Sequence, residues 1–161
     1  IKDMGQQGIY INNTAEYLTT EAVQKHNVRV VPAESVLMSF KLTVGRVAIN
    51  HQEMVTNEAI AHFYGFEQSR LTNYYVYLFL KQFNFRSLGS TSSIAQAVNS
   101  KTVKSIKIPV PHSQLIAEFT KNVEGLFEKI KLNSAQIQTL EQTRDTLLPK
   151  LMSGQVRVKL D

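Results

Sequence analysis

Two basic residues, Lys41 and Arg46, flank a short connection between two apolar stretches of the sequence. The guanidinium group of an arginine can bind O6 and N7 of guanine, and either cation can bind a DNA phosphate. Two other interpretations stay open: both residues are solvated surface charges, or Arg46 is paired with a carboxylate inside the fold. We therefore treat the pair as candidate DNA contacts.

A run of small hydroxyl residues forms a second candidate site. Ser90, Thr91 and Ser92 follow a glycine and precede a predicted short helix that Ser93 would cap. Hydroxyl and backbone N–H groups at such a position bind phosphate well, and Arg86 lies close enough in sequence to join them. A turn followed by an ordinary N-cap explains the same residues equally well.

Gln6 and Gln7 lie near the start of the chain, and a glutamine side chain can bind adenine through two hydrogen bonds. Solvated loop glutamines are the commoner case. Three tyrosines, Tyr74, Tyr75 and Tyr77, could stack on bases. Their helical spacing instead favours burial in the core.

Catalytic and metal-binding patterns are missing from the sequence. The four histidines have no metal-site spacing, the chain has no cysteine, and Asp occurs only three times. Neither a P-loop nor a Gly-x-Gly-x-x-Gly motif occurs. We therefore expect no catalytic residue, no metal site and no cofactor, so that any nucleotide hydrolysis or methyl transfer belongs to a partner.

The charge of the chain lies mainly in its first two thirds. The 161 residues carry a net charge of +5, and residues 1–111 hold 11 Lys/Arg against 7 Asp/Glu. This balance favours an acidic partner such as DNA, although a mildly basic protein without such a partner is equally compatible. The absence of cysteine fits the cytoplasm, and the longest apolar run, residues 76–80, is far too short to cross a membrane.

Residues 1–111 have the mixed pattern of an α+β body. Runs rich in β-branched and aromatic residues predict strands over 28–31, 36–40, 44–49 and 59–64. Apolar residues at helical spacing predict a helix over 71–83. The alternation of apolar residues over 103–110 predicts an edge strand that ends at prolines.

Residues 112–161 are dominated by a heptad repeat, which predicts a long coiled-coil helix. Ser113 is a candidate N-cap, and Pro149 followed by Gly154 predicts that the helix ends near residue 148. Such a helix would be about 54 Å long, so much of it must project or pack on another helix. The predicted pairing residues are Phe119, Val123, Leu126, Ile130, Ile137, Leu140 and Leu147, with Leu151 continuing the seam.

Two polar residues, Asn133 and Arg144, interrupt this seam. Polar seam residues weaken packing but specify register and orientation. The alternative is a loosely coiled helix in which both side chains reach solvent. The chain also begins with Ile1 rather than Met, so we expect it to be part of a longer polypeptide.

Several stretches resemble a known family when they are taken together. Residues 39–49 (Ser-Phe-Lys-Leu-Thr-Val-Gly-Arg-Val-Ala-Ile) and 56–60 (Thr-Asn-Glu-Ala-Ile) resemble motifs in the target recognition domains of type I restriction-modification specificity subunits. Residues 89–94 and 105–111 look like the glycine-serine loop and closing strand of those domains. Residues 148–154 (Leu-Pro-Lys-Leu-Met-Ser-Gly) resemble the end of their spacer helix.

The resemblance implies a sequence-specific, non-catalytic DNA recognition subunit or half-subunit that takes part in DNA methylation. Residues 1–111 would form one target recognition domain, with its first strand missing before Ile1, and residues 112–161 would form the spacer helix. Such a subunit reads one half of a bipartite site in double-stranded DNA and scaffolds methyltransferase subunits and, through the complex, a translocase/restriction subunit. Because Lys41 and Arg46 lie in a shared stretch, a phosphate or structural role is favoured over base reading.

The seam also implies a homodimer through the helix if this half-subunit is isolated. A different class of function remains open: a coiled-coil protein-interaction adaptor without DNA specificity, in which the helix dimerises and the body binds protein. Binding of random duplex DNA at low salt separates these two hypotheses.

Overall fold

The computed structural model describes residues 1–5, 8–88 and 98–157. It consists of an α+β body followed by one long C-terminal helix, which confirms the predicted fold class. No helix in these ranges has an apolar stretch long enough to cross a membrane.

A four-stranded sheet forms the centre of the body. Its strands are β1 (Tyr10–Ile11), β3 (Val36–Ser39), β4 (Val47–Asn50) and β6 (Ile60–Phe63). They lie in the order β1-β4-β3-β6, in which β1 is parallel to β4 and the other pairs are antiparallel. The predicted strands over 36–40, 44–49 and 59–64 are thus confirmed, each slightly shorter than expected.

A second, two-stranded sheet pairs β2 (Val30–Val31) with β5 (Met54–Val55) in antiparallel fashion. The predicted strand over 28–31 is confirmed in its last two residues. The described helices are α1 (Thr20–Lys25), α2 (Phe66–Ser69), α3 (Asn73–Gln82), α4 (Ser100–Lys104) and α5 (Ser113–Met152), with 3-10 turns at Asp3–Gly5 and Phe85–Leu88.

The predicted edge strand over 103–110 is wrong, because its first part is the helix α4. The side chain of Asn99 accepts hydrogen bonds from the N–H groups of Lys101 and Thr102 and so caps the start of this helix. Residues 106–111 have no regular secondary structure, and none of the described strands pairs with them. The apolar alternation from Ile106 onward reflects one-sided packing of this segment against the core.

The long helix α5 begins at Ser113, with His112 rather than Ser113 as its N-cap. It runs for 40 residues to Met152, which corresponds to about 60 Å. Pro149 lies inside the helix and does not end it, because the last turn is exposed and water can bond to the carbonyl group that loses its partner. The helix ends one turn later, where Gly154 adopts a left-handed conformation with φ of 72°.

Both faces of the central sheet are buried. Alternate residues of β3 and β4 point to opposite faces, and every residue of these two strands is buried. Val36, Met38 and Ile49 pack with α3 and α5 on one face. Leu37 and Ala48 pack with a smaller apolar cluster on the other face. This two-sided burial explains why neither strand alternates between apolar and polar residues.

The start of α5 completes the core of the body. Ile116 and Phe127 are buried, and the Phe127 ring lies 4.5 Å from the ring centre of Tyr74 and 5.8 Å from that of Tyr77. Burial and the nearby Glu128 carboxylate raise the pKa of Tyr74 to about 12. Tyr74 and Tyr77 are therefore core residues and Tyr75 is half-buried against the core, as their spacing predicted.

A polar cluster joins α5 to the body one turn beyond Phe127. Lys131 Nζ lies 2.6 Å from Glu34 Oε1, and the Asn73 amide donates to Glu34 Oε2 at 3.1 Å. The Lys131 ammonium also lies 5.9 Å from the ring centre of Tyr10. Glu34 adopts a positive φ of 59°, a conformation that costs free energy outside glycine and is held here by the surrounding contacts.

Candidate nucleic-acid interface

The connection between β3 and β4 is fixed by hydrogen bonds to Ser39, which is fully buried. The Ser39 carbonyl accepts from the N–H of Gly45 at 2.9 Å, and the N–H of Ser39 donates to the Arg46 carbonyl at 2.9 Å. Gly45 has a φ of +86°, and a Cβ atom there would lie 2.9 Å from the ring of Phe85. The connection is therefore tightly packed at its base while its tip reaches solvent.

Lys41 lies at this exposed tip. Its Nζ is 3.5 Å from Glu58 Oε1, and both side chains are largely in solvent. A backbone hydrogen bond and then the charge of Lys41 lower the pKa of Glu58. A surface pair of this kind contributes little stability, so Lys41 can exchange the carboxylate for a phosphate at small cost.

Arg46 is half-buried and takes part in the packing of the body. Its Nη1 group donates to the main-chain carbonyl of Ile1 at 2.9 Å. The partner is therefore a carbonyl group rather than the carboxylate considered from the sequence. The contact places the guanidinium beside Ile1.

Five of the other predicted DNA contacts lie outside the described residues: Gln6, Gln7, Ser90, Thr91 and Ser92. Ser93, the predicted N-cap, also lies outside the described residues. Arg86 belongs to the 3-10 turn that carries Phe85, but its side chain is also outside the description. Of the predicted DNA contacts, the structure therefore describes only the side chains of Lys41 and Arg46.

A cleft of about 670 Å³ opens on the body between β6, α2 and α4. Its floor is apolar and includes Phe40, Phe63 and Val103. Its polar lining includes the cations of Arg29 and Lys104. Concave sites with an apolar floor and a few charged groups are typical ligand-binding surfaces.

Arg29 is held at the cleft by Tyr64. Its guanidinium donates to the Tyr64 hydroxyl and lies 5.5 Å from the ring centre. Burial, and then the charge of Arg29, lower the pKa of His62, whose Nε2 lies 2.6 Å from Thr56 Oγ1. Sequence reasoning missed this group, because 35 residues separate Arg29 from Tyr64 and no local pattern links them.

The predicted pairing residues of α5 fall into two groups. Phe119 and Val123 are half-buried and pack against the core of the body. Leu126, Ile130 and the later seam residues face solvent, with Leu126 63% and Leu140 61% exposed. We call the second group the exposed seam, which consists of Leu126, Ile130, Ile137, Leu140, Leu147 and Leu151.

Sequence reasoning missed the two buried residues of α5, Ile116 and Phe127. The signal was present, because Phe119, Val123 and Phe127 recur every four residues and define a stripe beside the heptad seam. No group of three or more acidic or histidine side chains suited to a metal ion occurs in the described ranges.

Comparison with known proteins shows the family to which the chain is similar. A family model described as the type I restriction modification DNA specificity domain matches residues 4–142. This match covers nearly all of the body and most of α5, including the exposed seam as far as Leu140.

Two curated relatives are named as specificity subunits of type I restriction enzymes. The type I restriction enzyme HindI specificity subunit of Haemophilus influenzae is 29% identical over 160 residues, which cover 97% of this chain and 34% of that protein. The type I restriction enzyme MjaIX specificity subunit of Methanocaldococcus jannaschii is 27% identical over 147 residues, covering 86% and 28% respectively. The chain thus spans about a third of the length of these relatives.

Proposed function

The chain belongs to the type I restriction modification DNA specificity family, and we propose from this premise that it is a non-catalytic DNA recognition part of a type I restriction-modification complex. In this role it reads one half of a bipartite site in double-stranded DNA. The observation that carries the proposal is the family match, which spans the body and most of the helix together.

The body, residues 1–111, is the proposed target recognition domain. Its excess of Lys/Arg supplies the phosphate contacts that dominate affinity, and a few side chains at base edges supply specificity. The exposed position of Lys41 at the tip of a fixed connection supports a phosphate contact there. Arg46 is a candidate for a structural role or for a phosphate contact through its remaining donors.

The helix α5 is the proposed spacer and docking element. The exposed seam leaves a row of large apolar side chains in water, which favours packing against a second helix. That helix would come from a second recognition unit in an antiparallel pair. The methyltransferase subunits would dock on this helical region, and a translocase/restriction subunit would join through the complex.

Duplex binding tests the proposal directly. We expect this chain to bind a random 30-base-pair duplex at low salt, with an affinity that falls steeply between 50 and 200 mM salt. Lys41→Ala should weaken binding to all sequences alike and reduce the slope of log K against log salt by about 0.9. Arg46→Ala should also weaken binding if its remaining donors reach a phosphate. Gel-shift titrations at several salt concentrations measure both effects.

The matched control is Lys121→Ala, which removes an exposed cation from α5 rather than from the body. It should bind as the parent chain does. A parent chain that fails to bind duplex DNA at 50 mM salt and high micromolar concentration would contradict the proposed function. Unchanged slopes for both body variants would contradict only the assignment of these two residues.

A further inference from the structure

A stretch of 50 residues, 68–117, contains no acidic residue. It holds six basic residues: Arg70, Lys81, Arg86, Lys101, Lys104 and Lys107. The whole chain has a net charge of +5, so this stretch alone carries more positive charge than the chain does overall. Charge segregated in this way produces a local positive potential.

Three of these cations are exposed on the segment that forms one wall of the cleft, and one of them, Lys104, lines the cleft itself. Val103 is buried in the core, and Ile106 and Ile108 pack against it, so this wall is firmly attached. Ser100, Val103, Lys104 and Ile108 line the cleft. The exposed cations recur every three residues along the same segment, and we call them the lysine edge: Lys101, Lys104 and Lys107.

Arg29 lines the cleft beside the end of β6, where Tyr64 orients its guanidinium. The three ion pairs found among the described residues include neither Arg29 nor any member of the lysine edge. Glu58 also lines the cleft, but the cation with which it pairs is Lys41, at 3.5 Å, rather than Arg29 or a member of the lysine edge. The cleft therefore presents cations from two separate segments of the chain, and no described carboxylate forms an ion pair with them.

We propose that Arg29 and the lysine edge bind phosphodiester groups of double-stranded DNA across this cleft. The inference rests on the proposed function and assigns its phosphate contacts to residues far in sequence from Lys41. An arginine oriented by a tyrosine offers a fixed fork of donors to a phosphate, while lysines act as point charges along the backbone. These contacts orient the body on DNA and leave base reading to other side chains.

The test compares two double variants that remove the same charge. Arg29→Gln with Lys104→Gln removes one cleft-lining cation from each of these two segments. Lys81→Gln with Lys121→Gln removes two exposed cations that do not line it. With each phosphate contact contributing about 0.9 to the salt slope, the cleft variant should lose about 1.8 and the control nothing.

For the cleft variant, the ratio of parent affinity to variant affinity should increase as the salt concentration is lowered. A slope difference of about 1.8 makes this ratio grow about twelvefold between 200 and 50 mM salt. A charge-conserving variant, Arg29→Lys with Lys104→Arg, should restore the parent slope. The melting temperature of every variant, measured without DNA, separates lost binding from lost folding.

The outcomes distinguish failure of the cleft assignment from failure of DNA recognition by the chain as a whole. If the parent chain binds duplex with a steep slope and the cleft variant keeps that slope, the cleft assignment is overturned while DNA recognition stands. Equal losses in the cleft variant and its control overturn it as well, because binding is then not localised. If the parent chain itself does not bind duplex DNA, the proposed function fails with it.

Discussion

Gly45 and Gly125 show two opposite uses of glycine in the same chain. Gly45 combines a left-handed backbone with close contact to the Phe85 ring. Gly125 lies in α5, and a Cβ atom there would have nothing within 4 Å. The first glycine is required by the connection that carries Lys41, whereas the second only weakens a helix.

We therefore expect opposite effects from alanine at these two positions. Gly45→Ala should lower the free energy of unfolding by more than about 1 kcal/mol, because φ is unfavourable and the Phe85 ring must move. Gly125→Ala should raise it by about 0.5–1 kcal/mol through helix propensity. Urea denaturation of both variants measures these changes, and a Gly45→Ala chain as stable as the parent would contradict the argument.

The position of a single residue could be predicted from the sequence only where the pattern of neighbouring residues indicated its element. Lys41 was placed correctly at an exposed connection, since the strands on both sides have clear β patterns. The Arg29–Tyr64 contact and the partner of Arg46 depend on segments brought together by folding. The spacing of residue types along the sequence does not indicate such contacts.

At the scale of the elements, α5 carries two apolar stripes that serve different surfaces. One stripe, through Ile116 and Phe127, packs on the body. The other is the exposed seam. The heptad count merged them at Phe119 and Val123, which belong to the stripe that packs on the body. The length and existence of α5 were nevertheless predictable, because a long periodic pattern depends little on tertiary contacts.

The exposed seam should make this chain self-associate as an antiparallel helix pair. Leu126→Asp with Leu140→Asp places unpaired charges in that interface and should cost several kcal/mol, enough to yield monomers. Leu132→Asp is the matched control, because Leu132 is 68% exposed but lies off the seam. Light scattering at micromolar concentration compares the three chains.

The control should associate as the parent does. A parent chain that remains monomeric up to high micromolar concentration would rule out self-association. That result would not bear on the proposed docking to a different subunit, which pull-down of the modification subunit tests separately.

The segment before α5 shows where element prediction failed. Residues 103–110 have the apolar alternation of a strand, but the side chain of Asn99 caps a helical turn first. A short helix of five residues has too few positions for its period to outweigh the alternation that follows. The N-cap was the local signal that could have identified it.

At the scale of the whole molecule, the body and the first part of α5 share one core. Tyr74, Tyr77 and Phe127 form a ring cluster, and Lys131 closes the contact through Glu34. The sequence division at residue 111 therefore marks the start of the helix but does not separate two independent cores. A functional division would fall after Lys131.

Two truncations test this division. A chain ending after Leu132 keeps Ile116, Phe127 and Lys131, so it should fold with nearly the parent melting temperature and bind duplex DNA weakly. It should no longer recover the cognate modification subunit in a pull-down. A chain ending after Pro111 loses both buried residues and should be less stable by at least about 3 kcal/mol.

Undiminished recovery of the modification subunit by the chain ending after Leu132 would show that docking lies on the body. Equal stability of the two truncated chains would show that the first turns of α5 contribute nothing to the core. Thermal and urea unfolding, with the full chain as reference, provide the second comparison.

The contact between Lys131 and Glu34 has a geometric consequence for the far end of α5. From Lys131 to Met152 the helix forms a lever arm of about 32 Å. A tilt of about 6° at its base moves the tip by about 3.4 Å, which equals the rise of one base pair along DNA. Under the proposed spacer role, a small change of angle at the Lys131–Glu34 contact would therefore shift the distance between two DNA half-sites by about one base pair.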